Sequence, residues 1–130
     1  MRVATCRCGS LKAECFGEPV LMSVCHCTEC KRRTGSAFSA QARFPAENVS
    51  VIGEFRIFTR TADSERTLTY RFCPSCGSTV AYQIDILPGV VAIPLGAFGE
   101  EALPYPAYSN YERRKRPWAS ITGDSVEHLD

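Results

Sequence analysis

Short runs of alternating apolar and polar residues, cut by glycine and proline, make up most of this chain. In Leu11-Lys12-Ala13-Glu14-Cys15-Phe16, the residues Leu11, Ala13 and Cys15 share one face, which predicts a strand ending at Gly17 and Pro19. The same pattern predicts strands at Val20 to Val24, Ala37 to Phe44, Val49 to Ile52, Phe55 to Thr59, Arg66 to Phe72, Ser78 to Gln83 and Val90 to Pro94. These segments are rich in β-branched and aromatic residues, and breaks at Gly53, Ala62-Asp63-Ser64 and Pro88-Gly89 separate them. That is the pattern of an antiparallel β-sandwich or barrel. Helix is expected only from Thr28 to Arg33, so the fold class is mainly β with very little helix. Beyond Phe98 the apolar periodicity fades and Pro104, Pro106 and Pro117 intervene, which predicts an irregular tail over the surface.

Composition narrows the picture. A chain of 130 residues is long enough to bury roughly two thirds of its unfolded surface in one core. The net charge of +1, from 15 basic and 14 acidic residues, supplies no global field toward nucleic acid or an anionic membrane. The start, MRVATCRCGS, has no apolar signal region, and Ile86 to Phe98 is too short and too proline-broken to span a bilayer. A soluble cytoplasmic protein is therefore expected.

The 8 cysteines carry the chemistry. In a reducing compartment they read as metal ligands rather than disulfides. They fall as Cys6-x-Cys8, Cys25-x-Cys27-x-x-Cys30 and Cys73-x-x-Cys76, leaving Cys15, whose place on the apolar face of its strand makes it plain core. Cys73-Pro74-Ser75-Cys76-Gly77 has the form of half a zinc knuckle, and Cys6-Arg7-Cys8-Gly9 is its best complement. A structural zinc on residues 6, 8, 73 and 76 is the expectation. The competing redox role for Cys73 and Cys76 lacks the βαβ unit that such a motif opens.

Cys25, Cys27 and Cys30 are then left with an open fourth corner, as in a catalytic site. In an extended Cys-x-Cys the His26 ring points away from the ion, and His128 lies in the tail, so neither is a favoured fourth ligand. Three thiolates make zinc a poor activator of water, whereas an incoming soft thiol would be held as the nucleophilic thiolate. Among the rim residues Lys31-Arg32-Arg33-Thr34-Gly35-Ser36, Arg33 is the candidate substrate contact, with a solvated basic turn as its alternative.

The combination CxCG, CHCxxCxxxTGS and FCPxCGS, from about Arg2 to Trp118, resembles the glutathione-dependent formaldehyde-activating (GFA or CENP-V domain) family. The resemblance implies an Mss4-like, zinc-stabilised, mainly β fold in a single domain over 1–130, with a core at about 2–118 and a C-terminal tail at 119–130. It implies two zincs per chain, a structural one on Cys6, Cys8, Cys73 and Cys76 and a catalytic one on Cys25, Cys27 and Cys30. It also implies a carbon-sulfur lyase-type activity joining glutathione and formaldehyde as S-(hydroxymethyl)glutathione. Arg116-Pro117-Trp118 is similar to the family's C-terminal signature, with Trp118 expected to pack the tail. Two other classes stay open: an interaction module using the run Arg113-Arg114-Lys115-Arg116, and a redox sensor that releases zinc when the thiols oxidise.

Overall fold

Two sheets enclose the core in the computed structural model, which describes residues 1–62 and 64–130. Asp63, in the predicted break Ala62-Asp63-Ser64, lies outside the described residues. The strands are β1 (Arg2–Thr5), β2 (Lys12–Cys15), β3 (Leu21–Cys25), β4 (Ser39–Pro45), β5 (Val49–Ile52), β6 (Arg56–Thr61), β7 (Thr67–Phe72), β8 (Thr79–Ile84), β9 (Val90–Pro94), β10 (Tyr108–Asn110) and β11 (Glu127–His128). Among the described residues the only α-helix is α1 (Thr28–Thr34). Each predicted strand is present, with no end displaced by more than two residues, and the mainly β expectation holds.

A 3-stranded sheet runs β1-β2-β5, and an 8-stranded sheet runs β11-β10-β3-β4-β9-β8-β7-β6. Alternation decides which side chains meet between them. Leu11, Ala13 and Cys15 face inward from β2 and its approach, as the periodicity predicts, and are fully buried with Ala42, Phe44, Val80 and Ile93 of the large sheet. Phe44 packs its ring against Phe98 at 6.1 Å. On β4 the alternate positions Ser39, Gln41 and Arg43 are polar, and across β3 they pair with Cys25, Ser23 and Leu21. That polar face of the large sheet carries the site described below.

The tail departs from expectation. Residues 108–110 form β10, which pairs parallel to β3 with Tyr108↔Ser23, Ser109↔Val24 and Asn110↔Cys25, and β11 then pairs parallel to β10. The sheet is therefore mixed rather than wholly antiparallel. A strand of 3 residues, held by backbone bonds such as His26 N–H to Asn110 O (3.0 Å), leaves no apolar period to detect. Trp118 does not pack the tail: it is 76% exposed, because a turn closed by Ala119 N–H to Arg116 O buries Ala119 instead.

Candidate functional site

Cys6 and Cys8 lie on the turn between β1 and β2, Cys73 and Cys76 on the turn between β7 and β8, and the fold brings all four sulfurs together. The two turns are wired alike. Cys6 N–H donates to Leu11 O (2.9 Å) and Cys73 N–H to Ser78 O (3.0 Å), while Gly9 and Gly77 N–H return to Cys6 O and Cys73 O. Backbone amides also aim at sulfur, Leu11 N–H at Cys6 Sγ (3.2 Å) and Ser75 N–H at Cys73 Sγ (3.4 Å). The Cys6 and Cys8 sulfurs are 3.6 Å apart, and those of Cys8 and Cys73 are 3.7 Å apart. A tetrahedral zinc with 2.3 Å bonds to sulfur has edges of about 3.8 Å, so the donors fit that ion in number, type and spacing. Hydrogen bonds from the Ser78 hydroxyl and then its amide lower the Cys76 thiol to about 5, into the range where it is a ready ligand at neutral pH.

The second cluster forms where β3 ends. Cys25 is the last residue of β3, and Cys27 caps α1, its sulfur accepting from Cys30 N–H at 3.3 Å. Gly35 stops the helix in the left-handed conformation, with its N–H on Lys31 O. One turn of helix thus carries Cys30 back to the other two sulfurs, and the ligand atoms of all three lie within 4.8 Å of one another. Hydrogen bonds from Cys25 and then Cys30 hold the Cys27 thiol far below its usual range. Contacts with Cys27 and then Cys30, together with burial, drive Cys25 far above it. Three thiols so placed share protons unevenly, a conflict that a divalent soft cation removes. The set fits a zinc that has three protein ligands.

His26 stands apart from both clusters. Its ring is fully buried against Phe38 (5.5 Å between centroids), and Nε2 meets Ser109 Oγ at 2.9 Å. His128 instead meets Glu112, with Nδ1 to Oε2 at 2.8 Å. The basic run is partly engaged: Lys115 pairs with Glu112, and Arg114 O accepts from Lys31 Nζ.

Cys25 and Cys30 open onto a cavity of about 120 Å³ whose other walls include Arg33, Gln41, Arg43 and Tyr82. The Arg33 guanidinium lies over the Tyr82 ring at 4.9 Å and the Tyr70 ring at 5.5 Å, an arrangement that fixes its long side chain. Burial pushes the Tyr82 phenol well above its usual range, so it stays protonated and donates to Gln41 Oε1 at 3.0 Å. Arg33 also lines a larger groove of about 360 Å³, with Glu29, Phe58, Arg60 and Tyr70.

A family model described as glutathione-dependent formaldehyde-activating enzyme matches residues 1–114. The chain belongs to that family. No curated protein matches it. Among solved structures, the crystal structure of a Rhodobacter sphaeroides protein is similar, with 20% sequence identity, a TM-score of 0.57, and coverage of 77% of this chain and 90% of that one. At that identity the likeness speaks for a shared fold.

In this member of the family, cysteine spacing and the basic rim mark the thiols and Arg33, whereas the rest of the wall carries no sequence motif. Gln41, Arg43, Tyr70 and Tyr82 all lie within the predicted strands. A signal was present in Ser39-x-Gln41-x-Arg43, a polar period of two on a strand whose alternate residues Ala42 and Phe44 are core.

Among the described residues no helix is long and apolar enough to cross a membrane.

Proposed function

We propose that the chain is a zinc-dependent carbon-sulfur lyase of the glutathione-dependent formaldehyde-activating type, which joins a small thiol to a small aldehyde and cleaves the adduct. One observation carries this reading: two of the three thiols of the second cluster form part of the wall of a cavity that also holds Arg33 and Tyr82. In this reading Cys6, Cys8, Cys73 and Cys76 hold a structural zinc, and Cys25, Cys27 and Cys30 hold a second, catalytic one. The bound ion would supply a soft positive charge that keeps an incoming thiol ionised.

The chain's own groups do the rest. In the forward direction a sulfur-carbon bond forms, the carbonyl π pair moves to oxygen, and the thiol proton ends on that oxygen. Arg33, held over two tyrosine rings beside the cluster, is placed to balance the developing alkoxide. The groove on the other side of Arg33 has the volume for a peptide-sized thiol such as glutathione. Arg33 and Arg60 would meet its carboxylates and Glu29 its ammonium. Formaldehyde is the aldehyde that family membership suggests. Free thiols in this number suit the reducing cytoplasm, and the reading requires neither nucleic acid nor a membrane.

Exchange NMR between glutathione and S-(hydroxymethyl)glutathione in the presence of formaldehyde tests the proposal. The zinc-loaded chain is expected to accelerate exchange over the spontaneous rate, and Cys25→Ala to abolish the acceleration. Equal acceleration by Cys25→Ala with both zincs retained would contradict it.

A further inference from the structure

We propose that the small cavity beside Cys25 and Cys30 is a carboxylate subsite, so that the aldehyde handled here carries a carboxylate next to its carbonyl, as glyoxylate does. The inference rests on the thiol-aldehyde reading above and names its substrate class.

Size comes first. At about 30 Å³ per water, a cavity of about 120 Å³ holds about four waters, or a compact molecule of about five non-hydrogen atoms. Glyoxylate has that size, whereas the groove of about 360 Å³ on the other side of Arg33 is the larger space for a tripeptide thiol.

Charge is the second consideration. Arg33 and Arg43 both line the cavity, and no Asp or Glu does. Among the described residues neither guanidinium has a carboxylate within ion-pair distance. Two partly buried cations on one small cavity repel each other, and an anion between them relieves that cost. With neutral formaldehyde, Arg43 is left without a carboxylate partner.

The third consideration is that the wall is built rather than incidental. Gln41 Nε2 donates to Ser23 O (3.1 Å) and Ser23 Oγ (2.8 Å), and Gln41 Oε1 accepts from Ser39 Oγ and Tyr82 Oη, each at 3.0 Å. Arg43 Nη1 donates to the same Ser23 Oγ at 2.8 Å. This network anchors one arm of the Arg43 fork, leaving its other N–H groups for a planar carboxylate.

The chemistry balances without a further reactant. Sulfur adds to the aldehyde carbon, the π pair goes to oxygen, the thiol proton follows it, and the carboxylate is unchanged. The shared chemistry is a carboxylate close to the reacting atom; glyoxylate bears it on the aldehyde and 3-mercaptopropionate on the thiol.

Calorimetric titration of the zinc-loaded chain with glyoxylate, acetaldehyde and 3-mercaptopropionate separates these sources. Glyoxylate is expected to bind at least about tenfold more tightly than acetaldehyde. Arg43→Gln should weaken glyoxylate binding about tenfold or more, the worth of a charge-assisted fork, while leaving the binding of glutathione alone within twofold. Equal binding of glyoxylate and acetaldehyde, or of glyoxylate by wild type and Arg43→Gln, would overturn the proposal. So would Arg43-dependent binding of 3-mercaptopropionate without glyoxylate. If Arg43→Gln fails to fold or loses zinc, Arg43→Lys keeps the charge without the fork. It is expected to bind glyoxylate more weakly than wild type, and unchanged binding would count against the proposal. Arg43-dependent glyoxylate binding by a chain that never accelerates glutathione exchange would support the subsite while removing the lyase reading.

Discussion

Replacing Gly53 by alanine should unseat the four-thiol cluster without touching a sulfur. Gly53 follows β5 with φ +111°, a conformation that disfavours side chains, and an added Cβ would lie 2.2 Å from Ser10 O and 3.3 Å from Leu11 Cα. To reach even the 3.0 Å below which Cβ contacts essentially do not occur, Ser10 must retreat by 3.0 − 2.2 = 0.8 Å. That backbone is part of the cluster. Ser10 Oγ is 3.1 Å from Cys8 Sγ and 3.3 Å from Cys73 Sγ, and Leu11 N–H donates to Cys6 Sγ. Backbone strain of about 1–3 kcal/mol and overpacking of about 1–3 kcal/mol sum to about 2–6 kcal/mol. This is a large part of the roughly 5–15 kcal/mol that holds a domain together. Urea unfolding of the zinc-loaded chain, with chelator competition for each zinc, measures both consequences. The expected result is a stability loss in that range and weaker zinc binding at residues 6, 8, 73 and 76, with the second site unchanged. A stability change under about 0.5 kcal/mol with equal zinc affinity would refute the reasoning.

Three further outcomes are expected. Ser109→Ala removes the hydroxyl bonded to His26 Nε2, and because buried Nδ1 already has no partner among the described residues, the ring is left without any. Urea unfolding should show a loss of about 1–3 kcal/mol, largely restored by Ser109→Thr. Cys15→Ser places a hydroxyl at a fully buried apolar site, so it should cost about 1–3 kcal/mol while mass spectrometry finds the zinc count unchanged. The His128 hydrogen bond holds the Glu112 carboxyl below its usual 4.5, so its contribution is present above that pH and lost as pH falls through the lower, folded value. Glu112→Gln should therefore destabilise the chain at pH 6, and its deficit in thermal melts should close as the pH is lowered below 4.5.

What the sequence disclosed follows from how locally each feature is encoded. Cys73-Pro74-Ser75-Cys76-Gly77 specifies its own turn, so its partnership with Cys6 and Cys8 could be read from spacing, and the sulfurs do converge. Alternation placed Leu11, Ala13 and Cys15 on the core face and so separated Cys15 from the other thiols. β10 was invisible because its stability lies in backbone pairing to β3, which appears only once the sheet is assembled. Trp118 misled because a large aromatic side chain argues for burial unless a turn, here closed by Ala119, directs it to solvent. Arg33 is legible as a basic rim residue, but its company is not: Tyr70 and Tyr82 come from β7 and β8, about forty to fifty residues away in the chain. Arg43 lies within the predicted strand Ala37 to Phe44, where its alternation with Phe44 sets it on the face opposite the core.

The account turns on whether the cluster of Cys25, Cys27 and Cys30 holds a zinc that accepts a thiol. Native mass spectrometry of the reduced chain, with and without glutathione, addresses this directly. Two zincs per chain and one added glutathione are expected, with Cys25→Ala retaining one zinc and binding no glutathione. A single zinc in the wild-type chain, or glutathione bound equally by Cys25→Ala, would contradict the account.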